Sequence, residues 1–214
     1  MLIQDLVSQI DTKDTPIFFH NEPIAGSDYC YARTTTASEL AELRGKKDAN
    51  YREDELGVHL VNLELQDVYN NYLKKNPVAV SKLCALLTEQ CAVPTDKIIP
   101  AYVLFTVLHE IGHWQHLVRS GLTRTEYWKE YEAQRDDLWM EFQFMYHFCR
   151  NKQEQQYILD LYDGMYRNLP SERFADDFAK NELPQYLDLM PQITKLILIK
   201  NSKNYNIFIF FTCL

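Results

Sequence analysis

The chain has 214 residues, with 22 Lys and Arg against 30 Asp and Glu, a formal net charge of -8, 46% hydrophobic and 13% aromatic residues. That is enough apolar material for the core of one globular domain, and its 6 Gly and 8 Pro exclude collagenous and linker-dominated designs. The acidic balance argues against a duplex-binding surface, which needs clustered Lys and Arg to neutralise phosphates, so no nucleic-acid partner is expected.

The opening MLIQDLVSQIDTKD carries Asp5 and Asp11 within its apolar stretch and has neither a basic start nor a small-residue cleavage site, so it does not read as an export signal. No run reaches the roughly 18 apolar residues of a membrane span. Three short β-branched or aromatic runs follow, PIFFH at 16–20, YCYAR at 29–33 and VHLVNLEL at 58–65, separated by turn-forming stretches such as NEPIAGSD. They predict a small amino-terminal sheet.

Beyond residue 65 the apolar period becomes helical. Val68, Tyr72 and Leu73 mark one helix, and VAVSKLCALLTEQC after Asn76-Pro77 marks another. A third starts near Pro100, which suits a first turn, and runs through AYVLFTVLHEIGHWQHLVRS to a stop at Gly121; it is apolar almost all round, as a central buried helix must be. Further helices are expected at about 125–150, at 152–168 with Tyr157, Leu161, Met165, Tyr162 and Tyr166 on its apolar side, and from Pro170 to just before Pro184. His147, in FQFMYHF, reads as a core or interface histidine. The fold class expected is α+β and predominantly helical, as one domain over 1–200 with an apolar tail at 201–214 that suits an edge strand or a partner contact. Five cysteines, Cys30, Cys84, Cys91, Cys149 and Cys213, form an odd set that reads as reduced thiols in a cytoplasmic protein; Cys84 and Cys91 are a weaker reading as a metal pair.

Three of the six histidines fall in HEIGHWQH, where His109-Glu110-Ile111-Gly112-His113 is the H-E-x-x-H pattern. Residues four apart share a helix face, so both imidazoles can reach one Zn²⁺, while Glu110, about 100° round the helix, stands beside the metal where a carboxylate can take a proton from an attacking water. Gly112 suits close approach of another backbone or of substrate beside the metal. A catalytic zinc takes a third protein ligand, and two acidic stretches compete: Glu172, with Asp176 one turn later as acceptor for a ligating histidine, or Glu130 and Glu132 soon after His113. His116 reads first as a solvated or hydrogen-bonded helix-end histidine, with the metal surroundings, a substrate contact or, in a purely structural centre, a fourth ligand as alternatives. The metzincin pattern would place Gly at 116 and His at 119, where this chain has His116 and Arg119. Tyr127, Tyr131, Tyr157, Tyr162 and Tyr166 supply phenols, of which one could stabilise an oxyanion while most pack between helices.

H-E-I-G-H followed by E-x-x-A-D-x-F-A, in Glu172, Ala175, Asp176, Phe178 and Ala179, resembles the gluzincin metallopeptidases, above all the ImmA/IrrE-like family, over roughly 98–183. The resemblance implies a zincin-like fold, a zinc-dependent peptidase with His109, His113 and Glu172 as ligands and Glu110 as general base, and peptide or protein substrates. It also implies an alternative, a regulatory protein of the same fold that binds one partner with little or no proteolysis. Two departures stand out: Asp176 sits where Asn is commoner, and the 59-residue interval from His113 to Glu172 is long, with the helix at 125–150 as an insertion or a repositioned element. By the same resemblance VHLVNLEL is a candidate edge strand for pairing with an extended substrate, or else the best core strand of the sheet, with His59 on it at the surface or the site.

Overall fold

The computed structural model describes residues 1–21, 30–34 and 55–190. The tail at 201–214, the carboxy-terminal stretch from 191, most of the NEPIAGSD turn and Cys213 lie outside the described residues. Among those described, the fold is α+β and predominantly helical.

A short helix α1 (Ile3–Val7) precedes three strands, β1 (Ile17–His20), β2 (Cys30–Arg33) and β3 (Gly57–Val61). The sheet order is β1-β3-β2, with β1 parallel and β2 antiparallel to β3, and Phe18 and Tyr31 both in register with His59. Pairing on both sides, with every residue of β3 buried, makes it the central strand. The candidate substrate-pairing edge is thereby corrected: its backbone groups are taken up on both sides, and an extended peptide would have to displace β1 or β2. The alternative reading, a core strand, is the one the sheet shows. His59 is buried, its Nδ1 2.9 Å from His20 Nε2 and its Nε2 3.0 Å from the Glu55 carbonyl, so it lies in the sheet's polar interior and not at the surface. Gly57 begins this strand at φ 149°, where a Cβ would lie 2.3 Å from the Pro16 oxygen that accepts from Val58 N.

Six helices follow among the described residues: α2 (Leu65–Lys75), α3 (Pro77–Gln90), α4 (Ile98–Ser120), α5 (Arg124–Phe148), α6 (Lys152–Tyr166) and α7 (Pro170–Glu182), with 3₁₀ turns at Thr95–Lys97 and Leu183–Leu189. Several of these boundaries have a local cause. Asn76 caps α3 by accepting from Ala79 N, Thr123 and Glu126 form a reciprocal capping box at α5, Asn151 caps α6, and Pro170 occupies the first turn of α7. Gly121, at φ 71°, ends α4 in the left-handed conformation that favours glycine.

Apolar almost all round, α4 is surrounded: the sheet, α2, α3 and α7 all pack on it. One hydrophobic cluster runs from Ile3 through Leu60, Leu104, Leu108 and Ile111 to Leu183 and Met190. The α5–α6 hairpin instead builds a small cluster of its own from Leu138, Phe142, Ile158, Tyr162, Tyr166 and Leu169. The expected apolar side of α6 is corrected by that packing. Tyr162 and Tyr166 face inward, whereas Tyr157, Leu161 and Met165 lie on the solvent side with Phe144 and Phe148, which are 68% and 70% exposed. His147 is likewise exposed and no core residue. No helix among the described residues is long and apolar enough to cross a membrane.

Candidate metal centre

His109 and His113 stand one turn apart in the buried middle of α4, their ring centroids 4.7 Å apart and their planes nearly perpendicular. Glu172 comes from the first turn of α7, where the helix dipole favours a carboxylate, and is only 2% exposed. The two helices meet through their smallest residues. A Cβ on Gly112 would lie 2.7 Å from the Ala175 Cα, so glycine at 112 is what lets α7 come close enough to present Glu172 to the histidines.

The three side chains form the metal-capable group found among the described residues, with one donor atom from each within 4.8 Å of the others. His109 Nε2 lies 3.1 Å from His113 Nε2 and 3.5 Å from Glu172 Oε2, and His113 Nε2 lies 3.6 Å from Glu172 Oε1. A tetrahedral cation with bonds of about 2.0–2.2 Å needs donor separations of about 3.3–3.6 Å, so these residues fit such an ion. Glu130 and Glu132 do not join them. Glu130 is exposed and accepts from Gln134, and Glu132 lies 3.6 Å from Arg135. His116 also points elsewhere, its Nδ1 3.0 Å from the Tyr127 hydroxyl and its ring against Phe174.

The surroundings orient each member. His109 Nδ1 donates to Asp176 Oδ1 at 2.9 Å, which leaves Nε2 turned toward its partners. Arg167 Nη1 donates to the same oxygen at 3.1 Å and lies 3.9 Å from Glu172 Oε2. The hydroxyls of Tyr166 and Tyr131 reach Glu172 Oε1 at 2.7 and 3.2 Å. Burial by itself would lower the His109 pKa, but its bonds to Asp176 and Glu172 and the nearby carboxylates hold it up at about 9. His113 has less compensation and is pushed down to about 4 by burial, against the pull of Glu172 and with the charges of His109 and Arg167 adding to the fall. Burial would raise Glu172, yet the His113 charge, the contact with His109 and Arg167 keep it well below the usual carboxylate range. The cluster therefore favours an ionised glutamate and one proton on His109, the position a divalent cation would compete for.

Glu110, on α4 beside His109, lines a cavity of about 60 Å³ whose other walls include Tyr72, Leu83, Tyr102 and Phe105, with Arg167 and Glu172 at its polar end. Metal-capable donors, a carboxylate outside their set and an apolar hollow thus share one place. Arg167 and the α2–α3 wall carry no motif and were not legible in the sequence. Tyr102 and Phe105 were accessible to it, being seven and four residues before His109 on one helix.

The chain matches no model of a known protein family, no curated protein and no solved structure, so its function has to be read from this site.

Proposed function

We propose that this protein is a zinc-dependent metallopeptidase of gluzincin type, cytoplasmic and acting on peptide or protein substrates. The observation that carries the proposal is the buried set of His109, His113 and Glu172, with donor separations suited to a tetrahedral ion, of which His109 and Glu172 line one cavity with Glu110. Two histidines and a carboxylate are a donor set that catalytic zinc sites use, and three protein ligands leave a fourth position for reaction. The resemblance of HEIGH and ERFADDFA to ImmA/IrrE-like proteins supports the same reading.

When bound, zinc supplies a Lewis acid that polarises the scissile carbonyl and makes a water acidic near neutral pH. Glu110 accepts the proton of the attacking water and delivers it to the departing amine, the general base and then the general acid of one cycle. His109, fixed by Asp176, and His113 present their Nε2 atoms, Glu172 presents its carboxylate, and the apolar walls at Tyr72, Leu83, Tyr102 and Phe105 exclude bulk water and receive an uncharged substrate side chain.

Zinc content and peptide hydrolysis, measured on the parent and on Glu110→Gln, test the assignment. The variant is expected to keep stoichiometric zinc and lose at least about 10²-fold in turnover. Zinc-free parent protein after zinc is offered, or undiminished turnover in Glu110→Gln, overturns it. The second reading, a partner-binding regulator with little or no proteolysis, draws on the exposed Phe144, Phe148 and Tyr157 of the α5–α6 hairpin. Its mark would be a zinc-loaded parent that binds a partner without cleaving it.

A further inference from the structure

The Glu172 carboxylate faces the two imidazoles with both oxygens, Oε2 3.5 Å from His109 Nε2 and Oε1 3.6 Å from His113 Nε2. Nothing in that approach chooses between one-oxygen and two-oxygen ligation. The choice comes from the far side. Tyr166 donates its hydroxyl proton to Oε1 at 2.7 Å, and the Tyr131 hydroxyl lies 2.7 Å from that of Tyr166 and 3.2 Å from Oε1. Each phenol has one proton to give, so the pair forms a donor chain that ends on Oε1. Both tyrosines are buried, at 7% and 9% exposure, so water does not compete freely for these bonds. They come from the first half of α5 and the end of α6, the hairpin inserted between the two halves of the metal motif.

We propose that Tyr166, backed by Tyr131, reserves Oε1 of Glu172, so that the carboxylate ligates through Oε2 alone and the coordination sphere keeps a position open. The tyrosines are positioning residues acting through Glu172. This inference rests on the metal-centre reading and adds to it a function for the hairpin: it sets the coordination number of the ion.

Co²⁺ is the probe, because its visible absorption is intense in four-coordinate sites and weak when the coordination number rises. The full-length parent and Tyr166→Phe are titrated with Co²⁺, and their zinc affinities are measured by competition with a chromophoric chelator. Tyr166→Phe is expected to dim and shift the visible band as Oε1 becomes free to chelate, and to change zinc affinity by about tenfold. Tyr131→Phe should change both readouts in the same direction by less, and it serves if Tyr166→Phe fails to fold. A loss of thermal stability with the band unchanged would mark a merely structural role. Parent-like spectra and zinc affinities in both variants overturn the inference alone, whereas a parent that binds neither metal overturns the metal-centre reading and this inference with it.

Discussion

His109 and His113 are the same residue type, one turn apart on one helix, yet their environments drive their pKa values in opposite directions, to about 9 and about 4. The largest part of the difference is Asp176, which holds His109 at 2.9 Å and has no counterpart at His113 among the described contacts, with the contact to Glu172 and the Glu110 charge adding to it. A raised histidine contributes stability that is complete below its unfolded value of 6.5 and is lost as pH rises toward 9. A depressed one contributes above 6.5 and loses its contribution as pH falls toward 4. Glu172 and Asp176, both held low, add a further loss under acid. The metal-free protein should therefore melt highest between about pH 6 and 7 and lose several degrees on either side. On the proposed assignment zinc would take the place of the His109 proton, so the alkaline decline should disappear when zinc is present; a pH series of melting temperatures with zinc and with a chelator checks both statements. Asp176→Ala should cost about 10- to 100-fold in zinc affinity, and Asp176→Asn less, because an amide oxygen still accepts from His109 Nδ1. Chelator competition on the two variants reads the difference.

Between elements, the decisive contact is that of α4 with α7. Alanine is a better helix former than glycine by about 1 kcal/mol, so helix propensity alone predicts that Gly112→Ala stabilises. Packing predicts the reverse, since the new Cβ meets backbone at Ala175 and cannot turn aside. Gly112→Ala should cost about 1–3 kcal/mol and weaken zinc binding by moving Glu172 away from the histidines. Gly164, on α6, is the control: a Cβ there meets nothing within 4 Å, and Gly164→Ala should gain roughly 0.5–1 kcal/mol with zinc affinity unchanged. Denaturant unfolding and zinc titration of the two variants separate the effects. The close approach at Gly112 and the small residue at Ala175 could both be read from HEIGH and ERFADDFA, but that they touch each other could not, because 62 residues of chain lie between them.

On the scale of the whole molecule, stability is unevenly distributed. The sheet, α2, α3, α4 and α7 share one continuous core, whereas the distal half of the α5–α6 hairpin rests on a few side chains and exposes Phe144, Phe148 and Tyr157. Amide hydrogens from about residue 140 to 160 should exchange well before those of 101–111, which sit in the middle of the core. Equal protection in the two regions would show that the hairpin opens only with the rest of the protein. Zinc should slow exchange at the base of the hairpin more than at its tip, since Tyr131 and Tyr166 at the base bond Glu172.

Taken alone, the sequence determined the elements. Helix starts at Asn76, Thr123, Asn151 and Pro170, the stop at Gly121 and the buried character of α4 all follow from interactions within a few residues, and local interactions are written in local sequence. The pairing of His109 with His113 was legible for the same reason, one helical turn being four residues. Tertiary structure decided what depends on distant parts of the chain meeting. It made β3 a central strand, because β1 and β2 flank it, and it turned Tyr157 and Leu161 outward, because the hairpin buries Tyr162 and Tyr166. It brought Glu172 to the histidines in place of Glu130 and Glu132, which lie on the exposed or salt-bridged faces of α5. Arg167, Tyr131 and Tyr166 entered the site in the same way, through the packing of the hairpin base against α7, a contact that spacing along the chain does not encode.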